Sequence, residues 1–188
     1  MFRMSDHEGT NESMLGRWNS WYKDVKTMGS FRYGNTETYK LAADFLEGME
    51  VQDWGSGTGG FKRLHQGPYT GLDGSKTPFV DKVVDLREYH SNVDGIVMRH
   101  VLEHNYDWAK ILRNAMISFN KKCCLIIFTP FSEETHEIAH NKSHGVDVPD
   151  ISFARYDIER FFEGMKWNVD ELKTRTGYNV ENIYYIER

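Results

Sequence analysis

A cluster of four glycines within residues 55–60 constrains this 188-residue chain more than any other feature. The cluster follows a short apolar run that begins at Val51 and ends at the acidic Asp53. Glycine loses more backbone entropy on ordering than any other residue, so such a cluster does not belong inside a helix or a strand. The pattern predicts a tight turn that leaves a strand and opens a helix, where backbone N–H groups can approach a ligand closely.

The nature of that ligand depends on Asp53 more than on the glycines. Gly55, Gly57 and Gly60 satisfy the dinucleotide pattern G-x-G-x-x-G, which is a weak match by itself. A carboxylate at the strand end would face the pyrophosphate of a dinucleotide, and like charges repel each other. S-adenosylmethionine carries no phosphate, and its sulfonium and ammonium groups are cationic, so an acid beside the loop favours it. A glycine-rich loop without a ligand is the structural alternative.

Two stretches resemble a known family. Residues 53–59, Asp-Trp-Gly-Ser-Gly-Thr-Gly, resemble motif I of the class I S-adenosylmethionine-dependent methyltransferases. Residues 94–104 resemble the D-x-V-x-x-x-x-V-L-E-H stretch of small-molecule methyltransferases of the ubiquinone/menaquinone-biosynthesis type. The resemblance implies S-adenosylmethionine as cofactor and O- or N-methylation of a small-molecule or saccharide acceptor. The family usually has a glycine pair before its central strand, where this chain has Asn120-Lys121-Lys122.

Hydrophobic patterns along the chain predict an α/β fold. Strands are expected from Val51, Tyr69, Lys82, Val93 and Lys122, a hairpin from Trp167–Arg175 and Asn179–Glu187, and helices over Thr36–Glu47, Phe61–His65, Tyr106–Phe119 and Tyr156–Gly164. In the resembled family this order gives a Rossmann-like, seven-stranded, mostly parallel sheet. The sheet ends in a C-terminal antiparallel hairpin and carries helices on both faces.

The chain is expected to form one domain over residues 14–188, because 188 residues are too few for a nucleotide domain plus a separate catalytic domain. The polar residues 1–13 are expected to be disordered. Residues 14–48 hold many aromatic side chains and a helix, and we expect them to pack on the domain body or to form a lid. Residues 131–154 are polar and rich in histidine, which predicts an insertion over the site rather than sheet.

The cofactor-binding residues are expected at the carboxyl ends of the first strands. Asp73 follows Asp53 by 20 residues, the spacing at which a strand–helix–strand unit returns a carboxylate to the ribose hydroxyls, although a surface aspartate in a turn is the alternative. The resemblance implies that Asp85 and the backbone N–H after it contact the adenine. Three acids would then line one edge of the sheet. The full predicted set is Asp53, Gly55, Ser56, Gly57, Gly59, Asp73, Gly74, Ser75, Asp85, Leu86 and Arg99.

Catalytic residues are predicted from the chemistry of methyl transfer. The transfer is an in-line displacement, so the site must hold the acceptor atom behind the methyl carbon. A hydroxyl acceptor would also need a base, and His100 is the first candidate because it follows the fourth strand at the carboxyl edge. His104 is the second candidate, although the resembled motif more often uses it structurally. Arg99, if it faces the pocket, could pair with an anionic acceptor.

A rival pattern lies at His136-Glu137-Ile138-Ala139-His140, which matches H-E-x-x-H. On a helix, His136, His140 and His144 could share one face and bind zinc, so a zinc-dependent hydrolase is a remote alternative. The flanking residues are polar and offer little apolar stripe to hold such a helix, so we predict no metal. A cofactor-binding or non-methylating protein on the same fold is the nearer alternative.

Charge and composition limit the classes of partner that are expected. The net charge is −5 and no Lys/Arg-rich run occurs, which argues against nucleic acid. No stretch approaches the ~20 apolar residues of a membrane span, and the start lacks the apolar core of a signal peptide, so we expect a cytoplasmic protein without membrane contact. Cys123 and Cys124 are adjacent in an apolar run and are expected to be reduced packing residues.

Overall fold

The computed structural model describes residues 14–26, 28, 37–142 and 145–188. The strands in these ranges are β1 (Val51–Trp54), β2 (Tyr69–Asp73), β3 (Lys82–Val83), β4 (Val93–Arg99), β5 (Phe119–Ile127), β6 (His136–Asn141), β7 (Val148–Ser152), β8 (Lys166–Lys173) and β9 (Val180–Glu187). The α-helices are α1 (Asn19–Tyr22), α2 (Glu37–Phe45), α3 (Trp108–Ser118) and α4 (Arg155–Glu159). None of these helices is long and apolar enough to cross a membrane.

Seven of the strands form one sheet in the order β3-β2-β1-β4-β5-β9-β8. Strands β1 to β5 run parallel, whereas β9 is antiparallel to both β5 and β8. The predicted Rossmann-like sheet with its C-terminal hairpin is therefore confirmed. Because β2 and β4 flank β1, the turns that follow all three strands meet at one carboxyl edge.

The central strands of the sheet are buried on both faces, which explains their apolar runs, whereas the edge strands β3 and β8 are largely exposed. Along β5, Cys124 and Ile126 pack with α2 on one face, while Cys123 and Leu125 pack with α3 on the other. Successive side chains of a strand point to opposite faces, so one apolar run serves two cores. Both cysteines are free and buried, as expected.

Several boundaries differ from the predictions. Strand β3 is only Lys82–Val83, because the chain turns at Asp85 after Val84 N–H donates to Asp73 O at 2.9 Å. The segment after the glycine loop is a 3₁₀ turn over Phe61–Arg63 rather than a longer helix. Phe119, the predicted end of α3, begins β5.

The expectation that residues 131–154 avoid sheet structure is wrong. Strands β6 and β7 pair with each other in a separate antiparallel, two-stranded sheet. Strand β6 is largely exposed, so its sequence carries no apolar alternation, whereas Val148 and Ile151 of β7 are buried. A hairpin in which one strand is exposed and polar is hard to recognise from the hydrophobic pattern alone.

Candidate cofactor and acceptor site

The glycine turn after β1 has a backbone that only small residues accept. Gly55 and Gly57 have φ values of 85° and 49°. A Cβ on Gly55 would lie 2.3 Å from Val101 Cγ2, and one on Gly57 would lie 2.8 Å from the Tyr22 hydroxyl. The turn therefore has no room for a side chain at these two positions.

A cavity of about 550 Å³ opens over this turn at the carboxyl edge of the sheet. Its wall combines the glycine turn, residues before β1, the ends of β2 and β4, and residues near β6, β7 and the turn between β8 and β9. The lining residues used below are Trp18, Trp21, Tyr22, Gly55, Ser56, Gly57, Asp73, Gly74, Leu86, Arg99, His100, His104, Phe128, Asn141, Asp150, Arg175 and Tyr178. The volume lies within the ~300–1,000 Å³ of typical small-molecule sites.

Asp73 at the end of β2 anchors the glycine turn. Its carboxylate accepts hydrogen bonds from Gly57 N–H at 2.9 Å and from Ser75 N–H at 2.8 Å. Burial raises its pKa to about 6, against these backbone hydrogen bonds, which lower it. Each carboxylate oxygen has two acceptor sites, so Asp73 keeps capacity for a ligand hydroxyl in the cavity.

Asp53 and Asp85 also lie at the carboxyl edge of the sheet, but only Asp73 of the three acids lines the cavity. The register pairs Val51 with Tyr69, which places Asp53 on the same sheet face as Tyr69. The Tyr69 hydroxyl donates to Asp53 at 2.9 Å, and burial raises the pKa of Asp53 to about 7. Asp85 instead pairs with Arg87 at 2.7 Å, which holds the pKa of Asp85 below its usual value.

The remaining predicted residues near the turn divide into two groups. Ser56, Gly74 and Leu86 line the cavity, and Ser56 Oγ is buried without a hydrogen-bond partner among the described atoms. Gly59 and Ser75 are not part of the lining. Ser75 Oγ accepts a hydrogen bond from Trp18 N–H at 2.8 Å.

That contact belongs to residues 14–22, which lie against the turn after β2. Gly16 N–H donates to Gly74 O at 2.7 Å, and Lys76 N–H donates to Asn19 Oδ1 at 3.1 Å. The side chains of Trp18, Trp21 and Tyr22 then form one wall of the cavity. Phe31 and Tyr33, also predicted for this lid, lie outside the described residues.

His100 follows β4 with a left-handed backbone at φ 57°. For a non-glycine residue this costs on the order of 1–3 kcal/mol, and residues in such backbone states cluster at functional sites. Its Nε2 donates to Glu181 Oε1 at 2.7 Å. Burial and the nearby charge of Arg99 lower the pKa of His100 to about 4, so the imidazole is neutral at pH 7.

Arg99 and His100 share the same partner, Glu181 of β9. Arg99 donates to Glu181 Oε1 through Nε at 2.9 Å and approaches it through a terminal nitrogen at 2.8 Å. Burial alone would raise the pKa of Glu181, but the His100 hydrogen bond and the Arg99 charge outweigh it and lower that pKa. Glu181 was not predicted, although an acid in the apolar strand Val180–Glu187 is itself a signal of a buried polar contact.

His104 lies in a 3₁₀ turn over Leu102–His104 and also lines the cavity. Its Nδ1 lies 3.0 Å from Pro149 O and 3.2 Å from Asp150 Oδ1. Burial would lower the pKa of His104, but the neighbouring Asp150 carboxylate and the charge of Glu103 outweigh it and raise that pKa. The ring packs between Trp18 and Phe128, so His104 joins the β6–β7 hairpin to the cavity wall.

The end of the cavity beyond His104 is built by residues that the sequence did not indicate. The Tyr178 hydroxyl donates to Asp150 Oδ2 at 2.9 Å, and the Tyr178 ring lies 5.7 Å from that of Phe128. Asn141 and Arg175 complete this end. Aromatic faces with a few polar groups suit a small organic molecule.

The H-E-x-x-H residues lie on strand β6, not on a helix. A register shift between Glu137 and Ala139 pairs His136 with Ser152 but His140 with Pro149, which puts the two imidazoles on opposite faces. His140 Nδ1 bonds to Glu137 Oε1 at 2.7 Å, and Nε2 bonds to Asp147. Among the described residues no group of three or more potential ligands could hold a metal ion, and His144 lies outside them.

Comparisons with known proteins support the fold but not a family assignment. No family model and no curated protein matches the chain. The magnesium protoporphyrin IX methyltransferase of Synechocystis PCC 6803, with S-adenosylmethionine bound, has a TM-score of 0.56 at 16% identity over 80% of this chain and 74% of its own. The 1,6-didemethyltoxoflavin-N1-methyltransferase of Burkholderia thailandensis, with 1,6-didemethyltoxoflavin and S-adenosylhomocysteine bound, gives 0.60 at 13% over 82% and 79%.

A third solved structure covers more of the chain. The N-terminal domain of EvdMO1, with S-adenosylhomocysteine bound, has a TM-score of 0.58 at 12% identity over 92% of this chain and 94% of its own. At these identities the likeness concerns the fold alone. The chain has the Rossmann-like fold of S-adenosylmethionine-dependent methyltransferases.

Proposed function

We propose that this protein transfers a methyl group from S-adenosylmethionine to a small-molecule acceptor. The observation that carries the proposal is the cavity at the carboxyl edge, which joins the glycine turn and the Asp73 carboxylate to an aromatic-lined second half. Ligands of open α/β sheets bind at this edge. The solved structures of the same fold that contain S-adenosylmethionine or S-adenosylhomocysteine support the choice of cofactor.

The residues in the first half of the cavity fit this cofactor. Asp73 offers carboxylate oxygens for ribose hydroxyls, while the turn at Gly55 and Gly57, which has no room for side chains, lines the cavity with its backbone. Ser56 Oγ, buried without a described partner, is available for a further hydrogen bond. Leu86 supplies an apolar surface for a flat base.

When bound, the cofactor supplies an electrophilic methyl carbon that an acceptor atom attacks in line. The protein must then orient the acceptor and exclude water. Trp18, Phe128 and Tyr178 supply apolar surface in the second half of the cavity, and Asp150 supplies a polar contact. We propose a small-molecule or saccharide acceptor, methylated at oxygen or nitrogen, and a relation of the chain to the small-molecule methyltransferases of the ubiquinone/menaquinone-biosynthesis type.

Isothermal calorimetry with S-adenosylhomocysteine and with NAD tests the cofactor. S-adenosylhomocysteine should bind with a stoichiometry of one and raise the melting temperature by mass action, whereas NAD should do neither. Binding of NAD alone would overturn the proposed function. Binding of neither ligand would favour a protein that uses the fold for another purpose.

A further inference from the structure

We propose that the acceptor group is a hydroxyl, that His100 Nδ1 takes its proton, and that Glu181 is the residue that positions His100 for this step. The inference deepens the proposed function and rests on it. It assigns the acceptor chemistry and a role for a β9 residue on the basis of the contacts among His100, Glu181 and Arg99.

The two nitrogens of His100 have different environments. Nε2 donates to the Glu181 carboxylate at 2.7 Å. Nδ1 takes no hydrogen bond from the described part of the chain, and the side chain, 14% exposed, lines the cavity. An ionised carboxylate accepts only, so Nε2 must carry the hydrogen of the neutral ring. The lone pair of Nδ1 is then left for a ligand in the cavity.

Glu181 is held through Oε1, while its Oε2 is buried without a hydrogen-bond partner among the described atoms. Besides His100, its Oε1 accepts from Arg99 Nε at 2.9 Å and from the Thr38 hydroxyl at 3.2 Å. The side chain is 0% exposed, so it cannot rotate into solvent. Arg99 supplies the positive charge that offsets its burial. The Arg99–Glu181 ion pair therefore does not depend on His100, whose imidazole is a further hydrogen-bond partner of Glu181.

The groups packed against His100 come from several elements. Arg99 and His104 repel a positive charge on the ring, Glu181 attracts one, and Phe128 covers a ring face at 4.8 Å between centroids. His100 has a left-handed backbone, and its side chain both contacts Glu181 and lines the cavity. The lowered pKa makes His100 a weaker base than a free imidazole, but it keeps the ring neutral at pH 7, and with Nε2 bound to Glu181 the other ring nitrogen is left to accept a proton.

The proton transfer balances with the displacement. The O–H bond breaks as Nδ1 forms an N–H bond, and its electron pair stays on the acceptor oxygen. That oxygen forms the bond to the methyl carbon, and the sulfur keeps the pair of the bond that breaks. The imidazolium that forms carries its positive charge beside the negative Glu181.

This arrangement favours a hydroxyl over two other acceptors. A carboxylate or an aromatic ring nitrogen already presents a free lone pair at neutral pH, so it needs no base. A hydroxyl must lose its proton during the transfer, and a positioned base contributes about 10²- to 10⁴-fold to such a step.

The first test needs no acceptor. Nitrogen-15 NMR of the histidine-labelled full chain should show His100 as a neutral ring with its hydrogen on Nε2 at pH 7, with and without S-adenosylhomocysteine. In Glu181→Gln the ring should shift toward the Nδ1–H form, while the control Glu187→Gln, an exposed glutamate on the same strand, should leave it unchanged. A hydrogen on Nδ1 in the unmodified protein would overturn the proposal.

The second test separates roles by acceptor. With S-adenosylmethionine tritiated on its methyl group, catechol and methyl glucoside serve as hydroxyl probes, benzoate as the carboxylate probe and nicotinamide as the ring-nitrogen probe. Label in a hydroxyl probe should fall about 100-fold or more in His100→Gln. In Glu181→Gln, kcat should fall about 10-fold or more with little change in KM, and the pH profile should move. Label in benzoate or nicotinamide that survives His100→Gln would refute the hydroxyl assignment.

Failure of this inference is distinguishable from failure of the proposed function. Both variants and the control should bind S-adenosylhomocysteine with the affinity of the unmodified protein, because none of the three changes touches Asp73 or the glycine turn. Loss of binding in every protein would refute the cofactor. Normal binding with the wrong tautomer would refute only the role of His100 and Glu181.

Discussion

Replacement of Asp73 by asparagine should weaken S-adenosylhomocysteine binding while leaving the fold almost as stable as before. A hydrogen bond to a charged group is worth about 1.5–3 kcal/mol, so loss of the carboxylate should raise Kd about 10- to 150-fold. The loss of stability that follows from weaker backbone hydrogen bonds is offset by the removal of a buried charge. Burial raises the pKa of Asp73 from 3.8 to about 6, so ionisation costs the folded state about 3 kcal/mol at pH 8. Asparagine removes that cost as it weakens the bonds to Gly57 and Ser75.

Calorimetry and thermal unfolding measure the two effects separately. Asp81→Asn is the matched control, because Asp81 also accepts a backbone N–H of this region, from Gly71 at 2.7 Å, but does not line the cavity. The control should leave Kd unchanged. An unchanged Kd in Asp73→Asn would refute the reasoning and return Asp73 to a purely structural role in the turn.

Three further predictions concern other parts of the molecule. Burial raises the pKa of Glu103 from 4.5 to about 7. The stability that the protonated carboxyl allows is therefore present below pH 4.5 and is lost as the pH rises through 7. In urea titrations, the free energy of unfolding of Glu103→Gln relative to that of the unmodified protein should rise by about 3 kcal/mol between pH 4 and pH 8. A chelator should leave turnover intact, since His140 bonds to Glu137 and His136 bonds to Glu134 O; zinc that is stoichiometric and lost with activity in His136→Ala would contradict this. Tyr178→Phe removes a hydrogen bond to Asp150 and should lower turnover without changing S-adenosylhomocysteine affinity, and a parallel loss of affinity would place Tyr178 at the cofactor instead.

The fold could be predicted because its signals are local. Residues 96–98 of β4 and 123–127 of β5 are apolar at every position, as strand segments covered on both faces require, and the glycine cluster marks the turn after β1. The β6–β7 hairpin could not be predicted in the same way. Its stability depends on the burial of Val148 and Ile151 against distant residues, while β6 itself faces solvent.

The sequence could not show which way the side chain of each acid points. Asp53, Asp73 and Asp85 all stand at strand ends, and spacing alone gives them equivalent places. The strand register distinguishes them, because it places Asp53 on the same sheet face as Tyr69, whose hydroxyl donates a hydrogen bond to the Asp53 carboxylate. Asp85 is taken by Arg87 two residues later, and only Asp73 remains for the cavity.

The two halves of the cavity differ in how far apart their residues lie in the sequence. The cofactor half is built from the glycine turn and the end of β2, within about 20 residues of each other, so a motif can record it. The other half combines His100 after β4, Asp150 of β7, and Glu181 of β9 with the turn before it, which meet only after the sheet has formed. No short pattern spans that distance. A sequence of this fold therefore indicates its cofactor more readily than its acceptor. The acceptor half must be sought through residues such as Glu181, because a charge that is buried in a strand requires a partner, and Arg99 and His100 are the partners here.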